Sequence, residues 1–468
     1  MKLIYGVKDK PSFGKTIVFA FQQLLAILAA TIAVPSIVGN GMSQSAALFG
    51  AGVGTLVYLL FTRFRSPVFL GSSFAFLGSM FAAFAGAASV TALGYLGLIV
   101  GAAFAGLVYV VIAIIVKFAG VNWINKIMPA VVIGPTVAII GLSLAGNAVG
   151  DLFKGAVTSP VVEKVATLTE EGTAVVEEVT SQVQNANIYL CLICGLVTLA
   201  VTMISSVYGK KMMKLIPFII GIAAGYAVAA ILTAIGNSAD IPALQIIDFS
   251  KFAAMEWLPD FSFLKAFSKE SLAALKENPA YIGTIAVAYI PVAFVVFAEH
   301  IADHKNLSSI IESDLLTDPG LSRTLLGDGV GSIAGAFFGG CPNTTYGESV
   351  GCVAISGNAS VVTILTTAIL AIASAFIAPF TTLLATIPSC VMGGVCIALY
   401  GFIAVSGLKM IQNVDLGDTR NLFPVSVILI AGVGGMTLSF GKVTITEVAC
   451  ALILGILTNI ILSGKKKD

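Results

Sequence analysis

Residues 281–304 read Tyr-Ile-Gly-Thr-Ile-Ala-Val-Ala-Tyr-Ile-Pro-Val-Ala-Phe-Val-Val-Phe-Ala-Glu299-His300-Ile301-Ala302-Asp303-His304. The eighteen residues from Tyr281 to Ala298 carry no charge. That is enough helix to approach the span of a ~30 Å hydrocarbon core. The run then meets two carboxylates and the only two histidines of the 468-residue chain. An ionisable side chain at such depth is costly in hydrocarbon and marks a functional site by default.

The rest of the chain shares this character. Hydrophobic residues make up 57% and charged residues 10%, too little charge to cover a soluble surface. Fourteen apolar runs lie near 16–36, 44–62, 67–88, 92–116, 127–147, 187–207, 216–235, 281–302, 320–340, 344–357, 360–379, 383–405, 423–441 and 443–463. The expected fold is an all-α polytopic membrane protein with fourteen spans. The alternating ten-residue segments of a β-barrel are absent. The run after Lys15 is too long for a cleavable signal peptide and lacks a small-residue cleavage site. A net charge of +1 points to no nucleic-acid partner. Most of the seven cysteines sit inside apolar runs, and Cys191 and Cys194 read as packing residues rather than a redox or metal pair.

Charge sets the expected orientation. With a cytoplasmic N-terminus, 18 of the 25 basic residues fall on inner ends and loops: Lys2, Lys8, Lys10, Lys15, Arg63, Arg65, Lys117, Lys126, Lys210, Lys211, Lys214, Lys305, Arg323, Lys409, Arg420 and Lys465–Lys467. Of the others, Lys154, Lys164, Lys251, Lys265, Lys269 and Lys276 lie in two long outer loops, 148–186 and 236–280, where the positive-inside rule is weak, and the seventh is Lys442. Both termini are expected inside. The acidic residues of the first loop (Glu163, Glu170, Glu171, Glu177, Glu178) match no cation-ligand spacing and read as a solvated face.

Fourteen spans divide into seven and seven. The fifth contains Pro129-Ala-Val-Val-Ile-Gly134 and the twelfth Pro388-Ser-Cys-Val-Met-Gly393. Halves with an odd number of spans run in opposite directions, as in many secondary transporters. The third and tenth spans also correspond, and both are polar and glycine-rich: Phe69-Leu-Gly71-Ser-Ser-Phe74-Ala-Phe76, and Cys341-Pro-Asn-Thr-Thr-Tyr346-Gly347-Glu348-Ser349-Val-Gly351. Each is expected to break into a short extended piece and a half-helix. Irregular backbone at membrane depth must be buried in protein or line a cavity. A half-helix starting there presents free N–H groups and the positive end of its dipole.

Glu299 and Glu348 are the deepest acids. Such a carboxylate can carry a proton or accept N–H groups from a neutral ligand, while exposed backbone N–H groups would serve carbonyl oxygens. A planar imide such as a nucleobase fits that frame, as would other small polar solutes. Glu299 and Asp303 share a helix face, with His300 and His304 as the neighbouring pair. A zinc site is the rival reading. Yet Glu precedes His here, unlike His-Glu-x-x-His, and no third histidine exists. His304 reads as a cap at the cytoplasmic end of its helix, next to Lys305. Asp328 reads as a supporting residue or a helix start, and Glu447 as interfacial.

At Gly71-Ser-Ser-Phe-Ala-Phe76, Ala298-Glu-His-Ile301, Asp318-Pro-Gly-Leu321, Pro342-Asn-Thr-Thr-Tyr-Gly-Glu348 and Val391-Met-Gly-Gly394, the chain resembles the nucleobase–ascorbate transporter family (nucleobase:cation symporters), in particular its bacterial uracil permeases. The resemblance covers nearly the whole chain outside the two long loops. It implies two inverted repeats of seven helices. A core domain comprises spans 1–4 (residues 1–126) and 8–11 (281–380), and a gate domain spans 5–7 (127–280) and 12–14 (381–468). By position, Glu299 and Glu348 would hydrogen-bond the base, the backbone N–H groups of Phe74 and Gly347 would meet its carbonyls, and Tyr346 and Tyr400 would wall the site. The resemblance also implies proton symport, with Glu299, Asp303 and His304 as the coupling candidates, and a homodimer joined through gate domains. The expected protein is no enzyme and needs no cofactor or metal. It is a proton-coupled importer of a nucleobase in a bacterial-type plasma membrane, with uracil first and a purine such as xanthine second. A related-fold anion transporter is the other class, opposed by two acids in the site.

Three positions depart from the family pattern. The residue four after Glu299 is usually His and is Asp303 here, with His304 displaced by one. The residue after Glu348 is usually Asn and is Ser349. The motif usually ends Thr-Arg and here ends Ser356-Gly357.

Overall fold

A computed structural model describes residues 3–87, 90–120, 122–168, 174–210, 212–440 and 443–462. Lys2, Lys211, Lys442, Lys465–Lys467, Glu170 and Glu171 lie outside the described residues. The apolar runs fold as helices. In the first half these are α1 (Phe13–Val38), α2 (Gln44–Phe61), α3 (Leu77–Gly86), α4 (Thr91–Ala119), α5 (Ala130–Ser143), α6 (Ile188–Tyr208) and α7 (Pro217–Ala239). In the second they are α8 (Tyr281–Ile311), α9 (Leu321–Gly339), α10 (Gly347–Ser356), α11 (Val361–Ser374), α12 (Ser389–Met410), α13 (Thr419–Val433) and α14 (Glu447–Leu462).

Each of the fourteen expected segments overlaps one of these helices. Among the described residues eight are long and apolar enough to cross a membrane: α1, α2, α4, the run Ala130–Asp151 opened by α5, α6, α7, α8 and α12. A ninth appears if α11 and the short helix Ala378–Ala385, bent from it by 84°, form one span. The fold is that of an all-α polytopic membrane protein.

Several boundaries differ from the sequence reading, each for a local reason. The expected span 360–379 stops at Ser374 and turns, with Pro379 in the first turn of the following short helix. A proline is tolerated there because its missing N–H has no partner in a first turn. The expected span 383–405 starts late, at Ser389, because Pro388 forms its N-cap. The last two expected spans shrink to α13 and α14. Gly434 caps α13, and Gly435 follows it with φ +67°, a conformation glycine adopts without penalty. The first long loop is not irregular. It contains an antiparallel hairpin, β2 (Thr158–Leu168) with β3 (Ala174–Gln184).

Close backbone contacts, made possible by glycine, set the helix packing. On α2, a Cβ at Gly50 would strike the Gly335 carbonyl of α9, and one at Gly54 would lie 2.7 Å from the Gly331 carbonyl. A Cβ at Gly106 of α4 would lie 2.8 Å from the Gly329 carbonyl of α9. Elsewhere α5 meets α12 at Gly141, Gly134 and Gly407, and α7 meets α6 where Gly221 and Gly225 sit over Thr202 and Thr198. In a membrane the apolar driving force between helices is weak, so such close approach supplies much of the packing energy.

The second long loop is pinned by rings. Phe263 stacks on Phe337 at 4.9 Å, and Phe49 lies edge-on to both Phe261 and Phe338 at 5.0 Å. Lys265 pairs with Asp260 and lies over the Tyr95 ring. Burial works against the Lys265 ammonium, but Asp260 and Tyr95 beside it hold it above the usual lysine value.

Gly54→Val should lower the melting temperature of the purified protein, at a cost of about 1–3 kcal/mol typical of overpacking. Gly14→Ala in the exposed first turn of α1, where nothing lies within 4 Å of the added carbon, should leave it unchanged or raise it. Equal effects of the two would contradict the packing described.

Candidate functional site

The centre of the protein is a crossing of two short strands. β1 (Leu70–Ser72) runs antiparallel to β4 (Asn343–Thr345), with Leu70 opposite Thr345, Gly71 opposite Thr344 and Ser72 opposite Asn343. All six residues are buried. The Ser73 N–H donates to the Pro342 carbonyl at 2.9 Å, and the Tyr346 N–H to the Phe69 carbonyl at 3.2 Å. Extended backbone this deep requires such pairing, because no water serves its polar groups. Gly71 has no alternative here, since a Cβ would overlap the Tyr346 ring. The Tyr346 hydroxyl donates to the Ser72 carbonyl at 2.8 Å.

A helix leaves each strand. A single 3-10 turn, Phe74–Phe76, leads into α3, and β4 leads through Tyr346 into α10. The first-turn N–H groups of a helix lack intrahelical acceptors. Phe74 and Gly347 occupy those two helix starts. Phe74 lies edge-on to Tyr400 of α12 at 5.6 Å, and both are buried.

The four acids divide between two sides of α8. Glu299, Asp303 and Glu348 are half-buried. Asp303, Glu348 and, from the other side of the helix, Asp328 all act electrostatically on Glu299. Asp303 accepts from the Thr345 hydroxyl at 2.8 Å, which ties α8 to β4. It also comes close to Gly347, where an added Cβ would lie 3.8 Å from its carboxylate.

The histidines point elsewhere. His300 and His304 are fully buried, with rings stacked at 4.0 Å. His300 Nδ1 lies 2.6 Å from Asp328 Oδ2, and its Nε2 lies 3.0 Å from Thr324 Oγ1. His304 Nδ1 lies 2.8 Å from the His300 carbonyl, which can only accept, so Nδ1 carries a hydrogen. His304 Nε2 faces the Tyr58 hydroxyl at 2.7 Å, and that hydroxyl lies 2.7 Å from Ser66 Oγ. The interfacial cap expected of His304 is therefore corrected: α8 continues seven residues beyond it, to Ile311. Asp328 is the supporting residue of the two readings, buried within α9 against His300. Among the described residues no group of three or more His, Cys, Asp and Glu side chains has metal-site geometry.

Two functional candidates escaped the sequence reading. Gln23 of α1 donates to Ser349 Oγ at 2.5 Å, and the same oxygen accepts from the Phe69 N–H at 3.2 Å. Thr345 holds Asp303. The signal for Gln23 was present, since Gln22 and Gln23 form a polar pair in an otherwise apolar span.

Comparison with known proteins agrees with this architecture. A family model described as a permease family matches residues 14–179 and 169–440. A uracil permease of Bacillus caldolyticus is 38% identical over 467 residues, 99% of this chain and 96% of that protein. A uracil permease of Escherichia coli (strain K12) is 32% identical over 453 residues, 96% and 92%. Among solved structures, the transmembrane domain of the cyanobacterial bicarbonate transporter BicA aligns with TM-score 0.62 at 15% identity, covering 98% of this chain and all of that one. The murine Slc26a9 anion transporter aligns with TM-score 0.63 at 12% identity, covering 97% and 69%. At such identities the structures speak for the fold alone. With near full-length matches above 30% identity, the chain belongs to the permease family known as the nucleobase–ascorbate transporters, multi-pass membrane transporters rather than enzymes.

Proposed function

We propose that this protein imports a nucleobase, uracil in the first place, by proton symport. The observation that carries the reading is the juxtaposition at the strand crossing: two helix starts, at Phe74 and Gly347, beside the half-buried carboxyl groups of Glu299 and Glu348. Uracil has two ring N–H donors and two carbonyl acceptors in one plane. Glu299 and Glu348 accept from the former, the N–H groups of Phe74 and Gly347 donate to the latter, and Tyr346 and Tyr400 confine the ring. The uracil permeases similar to this chain support the choice of base.

In this reading the fourteen helices are fourteen spans in two inverted repeats, with the third and tenth broken at β1 and β4. Helices α1–α4 and α8–α11 form the core domain that carries the base, and α5–α7 with α12–α14 form the gate against which it moves. Both termini lie in the cytoplasm, and gate domains join two copies. Glu299 takes up a proton on the outer side and releases it with the base inside. Asp303, on the same face, takes part in the coupling. His304 supports it indirectly, by holding α8 against Tyr58.

Three measurements bear on this. In a thermal-shift screen of uracil, thymine, xanthine, guanine, urate and ascorbate, uracil should raise the melting temperature most, because a ligand that binds only the folded state stabilises it. A shift with bicarbonate or sulfate but with no base would overturn the substrate. Glu299→Gln should bind uracil yet fail to concentrate it in proteoliposomes with an inward proton gradient, whereas Glu348→Gln should weaken binding by about 10–150-fold, the loss of a hydrogen bond to a charged group. Concentrative uptake by Glu299→Gln would sink the coupling role. Tyr58→Phe should lower stability by about 1–3 kcal/mol by leaving His304 Nε2 unpaired, while the pH profile of uptake stays that of the wild type. A displaced profile would instead put His304 in the proton path.

A further inference from the structure

Behind the strand crossing lies a second polar cluster, to which the proposed transport cycle assigns no role. Three side chains meet at a small cavity of about 10 Å³: Tyr109 from α4, Ser332 from α9 and Asn343 from β4. They are 4%, 4% and 2% exposed. Tyr109 Oη, Ser332 Oγ and Asn343 Oδ1 are buried and have no hydrogen-bond partner in the protein. The Asn343 amide nitrogen donates to the Gly50 carbonyl at 3.1 Å, and its oxygen is the atom left over.

A buried polar atom without a partner costs about 1–3 kcal/mol, and three around one cavity is a costly arrangement unless something joins them. A cavity of this size holds the centre of one water-sized sphere, the lower limit for an internal water, which also needs two to four polar partners. Both conditions are met. The partners are of the right kind: two hydroxyls that donate or accept and one carbonyl oxygen that accepts. A monovalent cation fits poorly, because the remaining wall includes Phe76, Ala105 and Val296, which offer no side-chain oxygen.

We infer that one ordered water is bound here and bridges Tyr109, Ser332 and Asn343. It joins α4 and α9 to the strand residue opposite Ser72. Its place lies one helical turn from Asp328 on α9, and the Tyr109 ring also lies edge-on to His300. The water thus continues the buried polar layer that backs the crossing.

The test is a double-mutant cycle on the full-length purified protein, followed by thermal unfolding. Tyr109→Phe and Ser332→Ala each remove one partner and should each lower the melting temperature by about 1–3 °C. Because both act through the same water, the double variant should lose clearly less than the sum of the two shifts. Strictly additive shifts would overturn the shared guest, since the two hydroxyls make no direct bond. Replacing sodium chloride by choline chloride should leave the wild-type value unchanged. A sodium-dependent rise that disappears in Ser332→Ala would show a cation in place of the water.

Discussion

Backbone polarity in a medium without water is the constraint from which the rest of this structure follows. An unpaired N–H or C=O in hydrocarbon costs several kcal/mol, so a chain that buries extended backbone among apolar helices must pair it. β1 and β4 do this with each other, although 270 residues of sequence lie between them. The pairing explains several residue choices at once. Gly71 admits the Tyr346 ring, the Tyr346 hydroxyl reaches the Ser72 carbonyl, and Thr55 accepts from the Leu70 N–H at 2.9 Å. Two helix starts are brought to one place because the strands before them are bonded together.

The same geometry sorts the acids from the histidines. Successive residues on a helix lie about 100° apart. Glu299 and Asp303 can therefore face the strand crossing and its opening while His300 and His304 face the packed interior. Ring stacking at 4.0 Å and bonds to Asp328, Thr324 and Tyr58 make the histidines part of the scaffold. In the bare sequence they draw attention as a metal pair. The decisive fact, which side of α8 is fully packed, depends on α2, α4 and α9 and is not contained in residues 297–304.

Helix positions were legible because uninterrupted apolar runs of membrane length have few other solutions. The short extended pieces β1 and β4 also had a signal, in the glycines and hydroxyl residues around them. Helix ends were less visible. The bend after Ser374 and the late start of α12 hinge on Pro379 and Pro388, which hydropathy averages over. The hairpin in the first long loop was missed because its Thr- and Val-rich strands lie in a segment read only for charge. Among the candidate residues, Glu299 and Glu348 were singled out because charge in hydrocarbon is rare. Gln23 and Thr345 were not, since uncharged polar residues are common in membrane helices and only their partners reveal a role.

The departures from the family pattern become intelligible as contacts. Ser349 replaces the usual Asn, and its short hydroxyl is held between Gln23 of α1 and the Phe69 N–H at the entrance to β1. The first turn of α10 is thereby tied to both elements beside it. Asp303 replaces the usual His, and Thr345 supplies a hydroxyl to meet it. Gly357 stands where the pattern has Arg, and it caps α10 with φ +66°. A side chain there would also press on the N-terminus, since a Cβ would come within 3.2 Å of Ile4. The Ile4 N–H donates to the Gly357 carbonyl at 2.7 Å, and the Ala359 N–H to the Tyr5 carbonyl at 2.9 Å. The N-terminal segment thus lies along the chain between α10 and α11 as a short strap. Glycine at 357 is what the strap requires. This departure therefore concerns how the far end of α10 is held, whereas those at 303 and 349 alter the surroundings of the glutamates themselves.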